Sequence, residues 1–242
     1  MKIDFEILRT DSADFRQYIQ KISFETMDVN ATVATALDAI NGDAGMRDAD
    51  GNPISHIHWE CSCLQKKCGA CAMLINGKPG LACDARLSDF GKGKIRLEPL
   101  RKFPVVADLI VDRSVLRENL KGMRAWLSDK AEAGKADQDV AYEGSRCLQC
   151  GCCLEVCPNF YAGGSFAGMA VAVPTARLLA ELPREQREAI GKAYRQHVYE
   201  GCGKSLACRN ICPAGIKVDD LLVNSNAIAV WKRHPGQKRG KK

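Results

Sequence analysis

Two cysteine runs in the second half of the chain constrain its fold more than any other feature. The first run follows the pattern C-x2-C-x2-C-x3-C-P, and its regularly spaced cysteines are Cys147, Cys150, Cys153 and Cys157. The second run repeats this shape with a serine at one position, and the corresponding residues are Cys202, Ser205, Cys208 and Cys212. Cysteines at this spacing are typical ligands of iron-sulfur clusters. The two runs therefore indicate electron transfer.

The runs predict two clusters that share their ligands by a crossover. In two-cluster ferredoxins of the bacterial type, three close thiolates hold one cluster and the fourth, next to proline, holds the other. One predicted site would hold a 4Fe-4S cluster with Cys147, Cys150, Cys153 and Cys212. The other would hold a 3Fe-4S cluster with Cys157, Cys202 and Cys208, because Ser205 replaces the fourth thiolate. Ligation by the Ser205 oxygen, which would retain a fourth iron, is the alternative.

A third cysteine group in the first half of the chain has a different spacing. It follows C-x4-C-x2-C with one more cysteine downstream, and its members are Cys63, Cys68, Cys71 and Cys83. This is the plant-type 2Fe-2S spacing, which needs a tight loop whose small residues let backbone N–H groups approach the sulfides. A structural zinc site is the alternative, although this spacing is a poor zinc pattern. Cys61 and Cys152 belong to none of the three ligand sets, and each is expected to pack beside a cluster.

Composition and charge exclude several other classes of protein. The chain has 242 residues, 46% of them hydrophobic, and its longest apolar stretch, around Ala167 to Pro174, is too short to span a membrane. Its first residues do not follow the pattern of a secretory signal, so 13 cysteines favour metal ligands over disulfides. The net charge of +6 comes from a basic tail made of Lys232, Arg233, Lys238, Arg239, Lys241 and Lys242. This tail is expected to be solvated, with contact to anionic lipid or a partner as the alternative, and nucleic acid is not an expected partner.

Hydrophobic periodicity predicts an α+β chain with two domains and a tail. Alternation predicts strands at Met1–Arg9 and around Lys21–Glu25, and further strands at Ile54–Trp59, Ala72–Ile75 and Lys94–Leu97. A helix is expected between about Thr32 and Asn41, and helical spacing begins again at Pro104. Later helices are expected at Gly122–Ala133, Pro174–Leu182, Arg184–Tyr199 and Ile216–Trp231. The predicted divisions are a 2Fe-2S domain at 1–103, a helical two-cluster domain at 104–231 and the tail at 232–242.

Taken together, these motifs resemble the iron-sulfur subunits of succinate dehydrogenase and fumarate reductase. The resemblance rests on Cys63-x4-Cys68-Gly-Ala-Cys71 and on the two runs that end in Cys157-Pro158 and Cys212-Pro213, and it covers nearly the whole chain. It implies a ferredoxin-like β-grasp domain followed by a helical domain of the bacterial ferredoxin type. It also implies two partners: a flavoprotein subunit that carries FAD, and a membrane anchor that binds quinone and often haem.

The resemblance further implies the role and place of the chain. It would be the electron-transfer subunit of a succinate:quinone oxidoreductase or quinol:fumarate reductase, with no catalytic residue of its own. It would lie at the cytoplasmic face of the inner membrane. Members that reduce ubiquinone usually carry two tryptophans and a histidine where this chain has Tyr161, Ala162 and Gly203. This departure favours a single-protein di-haem anchor of the cytochrome b kind and menaquinone.

Two alternatives remain at the level of sequence. The first is the iron-sulfur subunit of another flavoprotein reductase complex that uses a non-quinone electron carrier. The second is a zinc-stabilised nucleic-acid-binding protein, which would require aromatic residues among the basic ones, and only Trp231 is so placed.

Lys66 lies where a glycine is common in the 2Fe-2S loop, so the backbone hydrogen bonds of that loop are expected to differ.

Overall fold

The chain forms two compact units in a computed structural model that describes residues 1–11, 13–91, 93–126 and 138–231. The first unit is Met1–Arg113 and the second is Ser114–Lys242. Sequence periodicity places the domain boundary ten residues earlier, at 103/104, and that boundary stays a prediction. Strands occur in the first unit and helices dominate the second, which gives the predicted α+β class.

A five-stranded mixed sheet forms the first unit, with strand order β2-β1-β5-β3-β4. Its strands are β1 (Lys2–Thr10), β2 (Gln17–Glu25), β3 (Ala72–Ile75), β4 (Lys78–Leu81) and β5 (Lys94–Glu98). Strand β1 pairs antiparallel with β2 and parallel with β5. The apolar residues of β1 alternate as predicted, so Ile3, Phe5 and Ile7 are buried. An Asn76-Gly77 turn joins β3 to β4, and both residues have positive φ, as tight hairpins require.

Helix α1 (Val33–Gly42) packs its apolar face into the first unit. Its buried residues follow helical spacing and are Val33, Ala34, Ala36, Leu37 and Ile40. Thr32 caps the helix because its hydroxyl accepts a hydrogen bond from the Thr35 N–H at 3.2 Å, and the Thr35 hydroxyl accepts one from the Thr32 N–H. The helix predicted between about Thr32 and Asn41 is confirmed.

The strand predicted at Ile54–Trp59 is wrong. The segment is extended but lies outside the sheet, because side chains satisfy its backbone groups instead of a neighbouring strand. The Asn41 amide bonds both backbone groups of Ile57, at 2.8 and 2.9 Å, and the Asp108 carboxylate accepts the His58 N–H at 2.8 Å. Arg9 adds a third contact, because its Nη2 donates to the His56 carbonyl at 2.9 Å, so three polar side chains hold the segment in the first unit.

The helix predicted from Pro104 is also wrong in its first ten residues. A hairpin stands there, formed by β6 (Val105–Ala107) and β7 (Ile110–Val111), and helix α2 begins only at Ser114 (Ser114–Gly122). Asp108 occupies the hairpin turn with a φ of +44°, and its buried carboxylate accepts the Thr10 N–H at 2.8 Å. These tertiary bonds fix the turn and override the helical pattern of the apolar residues around it.

Helices surround the cysteine runs in the second unit. They are α3 (Gln138–Ser145), α4 (Cys152–Glu155), α5 (Met169–Glu181), α6 (Arg184–Tyr194), a π-helical turn (Arg195–Tyr199) and α7 (Val218–Ala229). Helix α5 is the buried centre, and the residues packed around it include Tyr194, Val198, Leu221 and Leu222. It begins five residues before the predicted start at Pro174, which therefore lies inside the helix. The helices predicted at 184–199 and 216–231 are confirmed.

Part of one predicted helix and the whole tail fall where the structure gives no description. Gly122 ends α2 instead of beginning a helix, residues 123–126 form a turn, and residues 127–133 lie outside the described residues. The basic tail at 232–242 also lies outside them. Within the described ranges, no helix has both the length and the apolar character needed to cross a membrane.

Replacing Asp108 with alanine is expected to destabilise the first unit strongly. The Asp108 carboxylate lies 3.1 Å from the Arg9 Nε, and both side chains are at most 3% exposed. Its removal leaves a buried guanidinium without its counter-charge and orphans two N–H groups, which costs about 3–5 kcal/mol. Urea denaturation of the purified chain, followed by circular dichroism, measures this. The exposed Asp38→Ala on α1 is the control, and an equal effect of the two variants would refute the role of Asp108.

Candidate iron-sulfur centres

The first cysteine group lies in a loop whose backbone is shaped to surround a cluster. Cys63, Cys68 and Cys71 are on the loop, and Cys83 follows strand β4. Leu64, Lys66 and Gly69 have φ values of +52°, +58° and +76°, which reverse the chain repeatedly and turn its N–H groups toward the sulfurs. Lys66 adopts the left-handed conformation that a glycine would adopt more easily, and its Nζ pairs with the Asp84 carboxylate at 2.7 Å.

Backbone N–H groups reach the sulfur atoms of this group, including that of Cys71, which the Cys83 N–H bonds. The Gln65 and Lys67 N–H groups donate to the Cys63 Sγ at 3.3 Å, and the Lys66 N–H donates to the Cys83 Sγ at 3.3 Å. The Ala70 N–H lies 3.5 Å from the Cys68 Sγ. The bonds from Gln65 and Lys67 lower the pKa of Cys63 to about 7, so the loop favours a thiolate there. Burial raises the pKa of Cys71 to about 12, the reverse effect.

Arg113 stabilises this loop by hydrogen bonds to its backbone carbonyl groups. Its Nη1 donates to the Gly69 carbonyl at 3.0 Å and its Nη2 to the Ala70 carbonyl at 2.9 Å, and it also pairs with the Glu60 carboxylate. Gly69 and Ala70 lie between two of the cysteines, so the guanidinium fixes the carbonyl of the Gly69–Ala70 peptide, whose N–H lies near the Cys68 sulfur. No sequence motif points to this contact, because Arg113 is 43 residues from Ala70.

The second cysteine group combines the two runs of the second unit. A small cavity is lined by Cys147, Cys150, Cys153 and Cys212, with apolar walls from Met169, Val173, Ile216 and Val218. Burial raises the pKa of Cys153 well above its usual range, and the nearby charges of Cys150, Cys147, Cys208 and Cys212 add to this effect. Burial likewise raises the pKa of Cys147 to about 11. Cys212 of the second run is thus brought beside three cysteines of the first.

The third cysteine group is its counterpart. A second small cavity is lined by Cys157, Cys202, Ser205 and Cys208. Burial raises the pKa of Cys208 to about 11, and the next causes include the charges of Cys157 and Cys202. Cys157 of the first run therefore lies with the cysteines of the second. Met169 lines both cavities.

The two runs repeat each other in backbone conformation as well as in sequence. Gln149 and Lys204, one residue before the second ligand position, have φ values of +51° and +55°. Gly151 and Leu206, one residue after it, have φ values of +87° and +54°. Ser205 therefore stands on the backbone where Cys150 stands in the first run, and its hydroxyl lies 3.5 Å from the Ala207 N–H.

The remaining two cysteines have different surroundings. Cys152 is fully buried next to the second group, and its hydrogen bond with Cys150, followed by burial, raises its pKa far above the usual range. It packs beside the group as expected. Cys61 is exposed, so its expected packing is wrong. Over the described parts of the chain, no three His, Cys, Asp or Glu side chains converge closely enough to hold a single metal ion.

The fold and the three cysteine groups define an electron-transfer protein with one plant-type and one bacterial-type ferredoxin domain. Residues 4–118 match the family described as a 2Fe-2S iron-sulfur cluster binding domain, and residues 143–216 match the 4Fe-4S dicluster domain. The chain is 35% identical to the succinate dehydrogenase iron-sulfur subunit of Bacillus subtilis, over 93% of this chain and 91% of that one. The chain belongs to the family of iron-sulfur subunits of succinate dehydrogenase and fumarate reductase.

Two further comparisons agree with this family. The chain is 32% identical to the fumarate reductase iron-sulfur subunit of Mycobacterium tuberculosis, over 66% of this chain and 69% of that one. Among solved structures, a chain of the Mycobacterium smegmatis Sdh1 complex in the apo form superimposes with a TM-score of 0.69. That match covers 98% of this chain and 99% of the other at 22% identity, so it supports the fold.

Replacing Arg113 with leucine is expected to make the first group lose iron faster. The variant removes two hydrogen bonds that hold the 2Fe-2S loop, each worth about 1.5–3 kcal/mol because the donor is charged. We expect cluster loss to an added chelator at least about threefold faster, measured by visible absorption. Arg117→Leu is the matched control, because that side chain is 75% exposed. Equal rates in both variants would show that Arg113 does not hold the loop.

Proposed function

We propose that the chain relays single electrons between the FAD of a flavoprotein subunit and quinone or haem at a membrane anchor. Its cysteine groups carry this proposal, because they supply eleven thiols in three sets with the chemistry of iron-sulfur ligands. The chain contributes no catalytic residue to succinate or fumarate chemistry, which belongs to the flavin and its protein. It works as the electron-transfer subunit of a succinate:quinone oxidoreductase or quinol:fumarate reductase.

The three groups are assigned to three clusters. A 2Fe-2S cluster would be held by Cys63, Cys68, Cys71 and Cys83. A 4Fe-4S cluster would be held by Cys147, Cys150, Cys153 and Cys212. A 3Fe-4S cluster would be held by Cys157, Cys202 and Cys208. When bound, such clusters accept and release one electron at a time. The backbone N–H groups that donate to the Cys63 and Cys83 sulfurs support the first assignment. The cavities that cysteines of both runs line together support the other two.

The residues between the second and third groups favour a direct electron path. Met169 contributes to both cavities, and the charge of Cys208 reaches Cys153. Met169 thus gives the two cavities a common apolar wall. We place the third group at the quinone end of the relay.

The surroundings of the third group support a menaquinone partner over ubiquinone. A side chain at Gly203 would bring its Cβ within 3.1 Å of the Asn159 Nδ2, which donates to the Gly201 carbonyl at 2.7 Å. A histidine at that position would therefore require this hydrogen bond to give way. Tyr161 is largely exposed in this chain. The partner that we infer is a di-haem cytochrome b anchor in the inner membrane, which would hold this chain at the cytoplasmic face.

Isolation of the intact complex tests this function. A tagged chain, extracted from its own membranes in mild detergent, should bring a flavoprotein with bound FAD and a haem-containing membrane protein. Added succinate should reduce the chain's clusters, and electron paramagnetic resonance (EPR) measures this reduction. Menaquinol analogues should also reduce the clusters, through the anchor. Clusters that respond to neither donor, or that respond only to a soluble carrier, would contradict the proposal. A haem-free complex specific for ubiquinone would contradict the inferred anchor.

Replacing Ser205 with cysteine is expected to convert the third cluster. Ser205 already stands in the backbone position of Cys150, so the new thiol would complete a set of four. Most of the oxidised-state EPR signal of the three-iron cluster should disappear, and a second four-iron signal should appear on reduction. Ser165→Cys, at an exposed site in the same unit, is the control and should leave the spectrum unchanged. An unaltered three-iron signal in the Ser205 variant would contradict the assignment.

A further inference from the structure

Gln149 places a side-chain amide against the thiol of Cys147. Its Nε2 donates to the Cys147 Sγ at 3.1 Å and to the Ala170 carbonyl at 2.7 Å. A primary amide nitrogen carries two hydrogens, so both bonds can form at once. None of the motifs in the sequence draws attention to this residue, which occupies a variable position of the C-x2-C pattern.

Pro174 determines which way the Gln149 amide points. Proline has no N–H, so the Ala170 carbonyl, four residues earlier in α5, lacks its usual intrahelical donor. The Gln149 amide supplies a donor in its place. Rotation of the amide by half a turn would bring its Oε1 against the Ala170 carbonyl oxygen, and two acceptors repel each other. The helix therefore fixes the second N–H toward Cys147.

The surroundings of the amide make this hydrogen bond effective. The cavity wall is apolar apart from the cysteines and Gln149, and Cys150 is only 9% exposed. A donor to a thiolate stabilises the more negative state of the thiolate and of the group it binds, and low polarity strengthens the effect. Reduction adds one negative charge to an iron-sulfur cluster, so a fixed N–H···S bond favours the reduced state.

We propose that Gln149 is a positioning residue that raises the reduction potential of the cluster bound through Cys147. This rests on the proposed 4Fe-4S assignment. The second run provides a natural contrast, because Lys204 occupies the same backbone position but its Nζ lies 5.1 Å from the centre of the Tyr199 ring. The amide donor therefore distinguishes the second group from the third, although their backbones repeat.

Redox titration of the intact complex, followed by EPR, tests the role of Gln149. Gln149→Leu and Gln149→Met both remove the amide donor and replace it with an apolar side chain of similar size. At the wild-type midpoint potential, the ratio of reduced to oxidised 4Fe-4S cluster should fall roughly three- to tenfold, where tenfold corresponds to about 59 mV. The 2Fe-2S midpoint should stay unchanged, as should all midpoints in the exposed control Gln138→Leu.

The outcomes separate this inference from the proposed function. A wild-type complex without a reducible 4Fe-4S signal would overturn the assignment on which the inference rests. A normal wild-type signal with an unchanged midpoint in both Gln149 variants would overturn the inference alone. Loss of the cluster from both variants would also overturn it, because Gln149 would then act in holding the loop and not in setting the potential.

Discussion

The exchange of one cysteine between the two runs is the constraint on which the second unit depends. Cys212 lies with the first run and Cys157 with the second, so neither group can form until the residues between them have folded. Without iron, burial and neighbouring thiols raise the pKa values of Cys147 and Cys208 to about 11, which means that the sites disfavour several thiolates side by side. A positively charged iron core removes that penalty, and cluster binding then contributes to folding of the unit.

The three cysteine groups differ in how they would stabilise the reduced state of a bound cluster. The first relies on backbone N–H groups in a loop that contains several left-handed residues. Arg113 stabilises this loop by hydrogen bonds to its carbonyl groups. The second lies among apolar side chains, with one amide donor fixed by a helix that contains a proline. The third has the same backbone as the second but carries Ser205 in place of a thiol. These differences in donors and ligands can give the three clusters different reduction potentials.

The cysteine spacing predicted more of this structure than the hydrophobic pattern did. It predicted which cysteines gather, including the crossover, because ligand geometry leaves few alternatives. The pattern at Pro104 failed because the buried Asp108 carboxylate ties the hairpin turn to Thr10 and His58, far away in the sequence. The segment at 54–59 failed for the same kind of reason, since Asn41 takes the place of a neighbouring strand. Gln149 was missed because its role depends on a carbonyl freed by Pro174, which sequence periodicity placed at the start of a helix.

The crossover is tested most directly by the EPR spectrum of the intact complex carrying Cys157→Ala, recorded oxidised and reduced beside the wild type. Cys157 belongs to the first run in sequence but lines the cavity of the second. We expect the oxidised-state signal of the three-iron cluster to disappear while the reduced 4Fe-4S signal remains. Loss of the 4Fe-4S signal with an intact three-iron signal would show that each run supplies its own cluster, and would contradict the account.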